Sequence, residues 1–200
     1  MSDIYDLLTE LHTSPPMLSN YIGAMMHNIP PAEVVNRESF IMERVKDKKV
    51  LDIGCNGPLG AAIENAAAAY LGIDKDVENS SNKIGIDIDR AKHLPKYNPD
   101  LIIAGEVIEH LSNPGHFLDM LHVYRAPIIL TTPNAFCSVG HYWAGRGVEN
   151  VNAEHVAYYS WHTLKTLVKR HSYAIMEWYW YKGKPNTAEG LIFCLEGESA

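Results

Sequence analysis

The stretch Val50-Leu51-Asp52-Ile53-Gly54-Cys55-Asn56-Gly57-Pro58-Leu59-Gly60 decides the fold. An apolar run ends in a glycine-containing turn, and a helix-prone segment, residues 61–68, follows directly. Glycine lets a backbone lie against a ligand, and the start of a helix offers unpaired N–H groups to a carboxylate or phosphate. Asp74 closes the next apolar run, 74 − 52 = 22 positions after Asp52. In dinucleotide-type folds an acid about 20 residues beyond the turn accepts hydrogen bonds from ribose hydroxyls. Two other readings stand beside this one. In the plainer, the glycines only make a tight strand-to-helix turn. In the other the chain is a nicotinamide enzyme, but the spacing Gly54-x-x-Gly57-x-x-Gly60 is not the G-x-G-x-x-G that cradles a pyrophosphate.

Outward from the turn, residues 69–74 (AYLGID), 83–89 (KIGIDID), 100–105 (DLIIAG) and 127–132 (PIILTT) are short apolar runs ending in Gly, Asp or Thr. Runs that are apolar throughout, with helical segments between several of them, predict a parallel sheet covered on both faces. Residues 173–181 and 190–195 are separated only by 182–189, which is too short for a crossover helix, so they read as antiparallel neighbours. Upstream, Ile4, Leu7, Leu8 and Leu11, then Leu18, Ile22, Met25 and Met26 after Ser14-Pro15-Pro16, fall at helical spacing. Residues 38–45 read as a third helix. The expected organisation is a single domain over 1–200, with a helical cap at 1–48 and an α/β core at 49–200.

Composition bounds the partners. A chain of 200 residues that is 46% hydrophobic can bury one sizeable core. A net charge of -7 gives no general attraction for phosphate backbones, which disfavours nucleic acid unless a local patch holds it. No run approaches the roughly eighteen apolar residues of a membrane helix, and the N-terminus lacks a signal-peptide pattern, so the expectation is a cytoplasmic protein with no membrane partner. Cys55, Cys137 and Cys194 are odd in number and far apart, which points to reduced, buried thiols.

The segment Asp100-Leu-Ile-Ile-Ala-Gly-Glu106-Val-Ile-Glu109-His110-Leu111-Ser-Asn-Pro114, then Leu130-Thr-Thr-Pro-Asn134, His155 and Ser160, resembles the class I S-adenosylmethionine-dependent methyltransferases. The resemblance covers roughly residues 38–181. It implies a Rossmann-like, three-layer αβα fold with a seven-stranded, mostly parallel sheet, an antiparallel last strand and N-terminal helices that close over the site. It also implies that S-adenosylmethionine is the cofactor, with Asp52, Gly54 and the Cys55-Asn56-Gly57 turn around its methionine end. Asp74, with Lys75 beside it, would hold the ribose. Asp87 or Asp89 would face the adenine amino group, and Gly105 and Glu106 would border the methyl-transfer site. Asn56 and Pro58 stand where the family usually has glycines, and Pro58 suits the first position of a helix. Residues 75–82 are too short for the usual helix after the second strand, which leaves the adenine side open.

Methyl transfer from a sulfonium is a backside displacement, so much of the rate comes from positioning the nucleophile. A hydroxyl acceptor also needs a base or a metal that lowers its pKa. Glu106, Glu109 and His110 fall at i, i+3 and i+4, which would put all three on one face of a helical turn and suit a divalent cation such as Mg²⁺ or Mn²⁺. The segment is similar to the E-x-x-E-H of ubiquinone-pathway O-methyltransferases and of small-RNA 3′-end 2′-O-methyltransferases. That likeness implies His155 as a fourth ligand, and Glu106, His110 and His155 as the catalytic group. The competing reading has Glu106 touching the cofactor, Glu109 solvated and His110 packing the helix. His141, Tyr142, Trp143 and Arg146 sit in the loop after the Thr132-Pro133-Asn134 turn, at the carboxyl end of a strand, where acceptor pockets form, although they also fit an ordered aromatic surface loop. Asn113-Pro114 reads as an N-cap and first helical residue.

Three functions compete. The first is a methyltransferase acting on the hydroxyl of a small-molecule acceptor. The second is a metal-dependent RNA 3′-end 2′-O-methyltransferase, which the acidic balance opposes. The third is a non-catalytic domain that binds cofactor or a partner, suggested by Asn56, Pro58 and the open adenine side; Asp52, Asp74 and Glu106 argue against it.

Overall fold

Residues 28–198 are described by a computed structural model, so the helices expected over 4–11 and 18–26 lie outside the described residues. Residues from Pro31 onward form one compact unit. In chain order it contains β1 (Val34–Val35), α1 (Arg37–Val45), β2 (Lys49–Ile53), α2 (Pro58–Ala66), β3 (Ala69–Asp74), β4 (Lys83–Gly85) and β5 (Leu101–Gly105). A single 3₁₀ turn (Ile108–His110), α3 (Pro114–His122), β6 (Ile128–Pro133), α4 (Ser138–Ala144), α5 (Trp161–Arg170), β7 (Tyr173–Tyr181) and β8 (Gly190–Gly197) complete it.

The sheet runs β1-β7-β8-β6-β5-β2-β3-β4. Strands β2 to β6 pair in parallel, and β8 lies antiparallel between β6 and β7. This is the expected Rossmann-like sheet with its antiparallel last strand, extended by the two-residue β1, which joins the edge through Val34↔Trp180 and Val35↔Tyr181. Phe40, Ile41 and Val45 of α1 and Ile63 of α2 cluster with Val50, Leu101, Ile103 and Ile129. The intervening Leu51, Ile102 and Leu130 are equally buried, as are Phe117, Leu118 and Leu121 of α3 and Leu164 and Val168 of α5. Alternate residues of each strand therefore serve opposite faces, and the layers are αβα.

Side-chain caps fix where the helices begin. Asn36 accepts from the Ser39 amide at α1, Asn113 from the His116 amide at α3, and Ser160 and Thr163 form a reciprocal capping box at α5. Pro114 and Pro58 occupy first-turn positions, where the missing N–H breaks no intrahelical bond.

Some expectations need correction. Strand β4 ends at Gly85 rather than residue 89, because the Ile86 amide closes the ladder on Asp74 and the chain then turns. His141, Tyr142 and Trp143, expected in a loop, lie in α4, and Arg146 follows it. Cys55 is buried, but Cys137 and Cys194 are half-buried; all three are free. Trp180 and Tyr181, at the end of β7, are both buried. No helix among the described residues is long and apolar enough to cross a membrane.

Candidate active site

The carboxyl ends of β2, β3 and β5 open into a crevice of about 630 Å³, within the usual size range of small-molecule sites. Gly54 and Gly57 adopt φ of +79° and +137°, which side-chain-bearing residues rarely do. A Cβ at Gly54 would also stand 2.4 Å from a Val107 methyl, so this turn passes tightly under the β5 end. The turn is tied to β3: the Gly54 amide donates to the Ile73 carbonyl, 2.8 Å away, and the Asn56 amide to Asp74 Oδ2, 3.2 Å away. No side chain caps α2, and Gly57, Pro58, Leu59 and Gly60 all line the crevice. A helix start left open in this way suits an anionic group.

Asp52 lines the crevice from beneath and accepts from the Tyr70 hydroxyl at 3.0 Å. Burial pushes its carboxyl up to about 7. Asp74, Lys75, Asp87 and Asp89 line the far wall. Asp89 is held at both oxygens by Ser112, through the amide at 2.7 Å and the hydroxyl at 2.7 Å, and these bonds hold its pKa below the ordinary value. Asp87 accepts from the Asp89 amide and pairs with Arg90 at 3.3 Å. Ile86, Ile88 and Leu111 add an apolar stretch between these acids.

At the β5 end, Glu106 sits at φ +57° and its Oε1 takes three donors: Thr131 Oγ1 at 2.7 Å, Tyr181 Oη at 2.9 Å and Arg37 at 3.2 Å. The Arg37 guanidinium also lies over the Tyr181 ring, 5.4 Å from its centroid. Three residues on, Glu109 is buried, with Oε2 accepting from Thr132 Oγ1 at 3.0 Å and Oε1 without any hydrogen-bond partner. Burial, then the charge of Glu106, raises its pKa to about 8. Donor atoms of Glu109, His110 and His155 all lie within 4.8 Å of one another. The two imidazoles meet edge to face at 4.6 Å, and burial and the neighbouring His110 depress His155. Two imidazoles beside an orphaned buried carboxyl oxygen suit a divalent cation.

A family model described as a methyltransferase domain matches residues 27–177. The chain belongs to this methyltransferase family. Its fold is that of the class I S-adenosylmethionine-dependent enzymes. Among solved structures, an S-adenosylmethionine-dependent methyltransferase from Mesorhizobium loti aligns at TM-score 0.57 and 14% identity, over 80% of this chain and 95% of that one. The small RNA methyltransferase HEN1 aligns at 0.62 and 15%, over 88% of this chain but only 27% of its own. A Burkholderia thailandensis 1,6-didemethyltoxoflavin-N1-methyltransferase, with S-adenosylhomocysteine and 1,6-didemethyltoxoflavin bound, aligns at 0.59 and 11%, over 81% and 77%. At these identities the likeness is one of fold. A search of curated proteins returns no match.

In this methyltransferase, Asp52, Gly54, Asn56, Gly57, Asp74, Lys75, Asp87, Asp89, Gly105 and Glu106 all border the one crevice. Cys55 does not: its side chain is buried beneath the turn, beside Tyr70 and Gly72. Glu106, Glu109 and His110 do not share a helical turn. The left-handed backbone at Glu106 breaks the helix, and only Ile108–His110 coil, as 3₁₀. Glu106 consequently falls outside the Glu109–His110–His155 group, with one oxygen already taken by Arg37, Thr131 and Tyr181. Arg37, Tyr181 and Glu154 escaped the sequence reading. Glu154 borders the crevice between Lys75 (3.9 Å) and His110 (4.0 Å). Arg37 did leave a trace, being a cation in the first turn of a helix, where the helix dipole disfavours it.

Proposed function

We propose that the chain transfers the methyl group of S-adenosylmethionine to a hydroxyl of a small-molecule acceptor, assisted by a divalent cation held by Glu109, His110 and His155. The carrying observation is the meeting of two features at one end of the sheet: the crevice bounded by the Gly54–Gly57 turn and Asp74, and the carboxylate–imidazole cluster one turn beyond Glu106.

S-adenosylmethionine would supply an electrophilic methyl on sulfur. Asp74 holds the ribose through the lone pairs left beside its bonds to the Asn56 and Asp76 amides. Asp87 or Asp89 is the acceptor for the adenine amino group; each is already held at both oxygens, Asp87 by the Asp89 amide and Arg90, Asp89 by Ser112. Asp52 and the open start of α2 receive the amino and carboxylate groups of the methionine end. A bound Mg²⁺ or Mn²⁺ would lower the pKa of the acceptor hydroxyl. Glu106, fixed at one oxygen, presents its other to the methyl-transfer end.

RNA 3′-end methylation is the second reading. The Glu109–His110–His155 cluster favours it, and the net charge of -7 weighs against it. The test is incubation with methyl-labelled S-adenosylmethionine and fractionated metabolite pools, with Mn²⁺ or with chelator, beside a parallel arm of short single-stranded RNA. Label on a metabolite hydroxyl that disappears with chelator, and none on RNA, is the expected result. Label on RNA alone reverses the choice of acceptor, and turnover indifferent to chelator removes the cation.

A further inference from the structure

Besides the crevice, the described residues form a second cavity of about 540 Å³, which shares no lining residue with the first. One wall is the segment from Lys92 to Asn98, between β4 and β5. The other is α3 and the two residues after it, through His116, Asp119, Met120, Val123 and Tyr124. Two hydrogen bonds join the walls: His116 Nε2 lies 3.0 Å from the Ala91 carbonyl oxygen, and Tyr124 Oη donates to the Pro95 carbonyl at 2.6 Å. The space between them is therefore built into the fold, and it has the size of a small-molecule site.

The lining combines apolar surface with unmatched positive charge. Leu94, Pro95, Met120 and Val123 supply the apolar part, and Val123 is 79% exposed, so it is free to meet a ligand. Residues 90–99 hold Arg90, Lys92 and Lys96 and no acid, on a chain whose net charge is -7. The cations of the methyl-transfer crevice are each matched: Arg37 pairs with Glu106, Lys75 with Glu154 and Arg90 with Asp87. Among the described residues, Lys92 and Lys96 enter no such pair. The one acid in the lining, Asp119, has an oxygen bound 2.7 Å from His171 Nδ1. Tyr97, also in the wall, keeps its hydroxyl buried without a hydrogen-bond partner, a donor left over in the ligand-free chain.

We propose that this cavity is a second ligand site, separate from the methyl-transfer crevice, for an organic carboxylate with an apolar body that lies against Leu94, Pro95, Met120 and Val123 while its carboxylate meets Lys92 and Lys96. Two unpaired ammonium groups select an anion through charge-assisted hydrogen bonds, and the apolar wall selects an anion that has surface to bury. The site stands on its own geometry and does not depend on the methyl-transfer reading.

The test titrates the full chain with 2-naphthoate, with 2-naphthamide and with inorganic phosphate, each in the presence and absence of saturating S-adenosylhomocysteine. Naphthoate is expected to bind at least about tenfold more tightly than the amide, which keeps the body without the charge, and than phosphate, which keeps the charge without the body. S-adenosylhomocysteine is expected to leave its affinity unchanged. Replacing both lysines, Lys92→Gln with Lys96→Gln, is expected to erase the preference over the amide. Val123→Glu puts a like charge beside the carboxylate and is expected to weaken naphthoate at least about tenfold, whereas Val123→Gln keeps the parent's affinity. Parent-like thermal unfolding of each variant checks the fold. Absence of naphthoate binding, equal affinity for naphthoate and the amide, or variants that bind as the parent does would overturn the proposal. So would displacement by S-adenosylhomocysteine, which would place naphthoate in the crevice, or displacement by a single-stranded oligoribonucleotide, which would assign the lysines to nucleic acid. Failure of S-adenosylhomocysteine to bind counts against the methyltransferase reading alone, and the naphthoate titration without it still decides this one.

Discussion

Asp74 shows how much one side chain carries. Its carboxylate closes β3, bonds the Asn56 amide of the glycine turn and borders the crevice, so it both builds the cradle and receives ligand. Asp74→Ala is expected to weaken S-adenosylhomocysteine binding at least about tenfold, since each hydrogen bond to a charged group contributes about 1.5–3 kcal/mol; calorimetry measures this. Glu109→Gln removes the anionic ligand while keeping its shape, and Mn²⁺ titration followed by electron paramagnetic resonance is expected to show binding in the parent and none in the variant. Asp52 makes a prediction about pH. Burial raises it from 3.8 to about 7, so the folded chain keeps a proton that the unfolded chain releases. That contribution to stability is complete below about pH 4 and is lost as pH rises through about 7. The melting temperature of the unliganded protein is expected to fall across this window, and Asp52→Asn to flatten the slope.

At the scale of elements, the turn after β2 was legible because three constraints agree in sequence: an apolar strand, glycines, and an acid at the right distance. The left-handed backbone at Gly54 and the Val107 methyl beside it give a measurable consequence. Gly54→Ala is expected to destabilise the fold by about 2 kcal/mol or more, read from denaturant unfolding, and Gly57→Ala by less, because nothing lies within 4 Å of its would-be Cβ. The segment after β5 was legible only in part. Residue types at i, i+3 and i+4 suggest a helical face, but a non-glycine residue at positive φ leaves no mark in composition. Glu106 therefore turned toward Arg37 and Tyr181, partners 69 and 75 positions away in sequence (106 − 37 and 181 − 106), which no local pattern discloses. The position of α4 was hidden for a different reason: its residues bury no face, so the apolar periodicity that signals a helix is missing.

Across the whole molecule, alternation of apolar runs and helices fixed the layers, because strands buried on both faces must be apolar throughout. The short 182–189 connection likewise fixed the antiparallel pairing of β7 with β8. What no single stretch carries is convergence: β2, β3 and β5 are neighbours only in the sheet, and the crevice exists because their ends lie side by side. The chain's negative charge belongs to this scale too; a gel shift with single-stranded RNA at physiological salt is expected to show no complex. The most direct measurement is a crystal structure of the protein with S-adenosylhomocysteine. The ribose is expected on Asp74 and the methionine end along the Gly54–Gly57 turn; density for the ligand elsewhere, or a crevice filled by side chains at saturating ligand, would contradict the assignment.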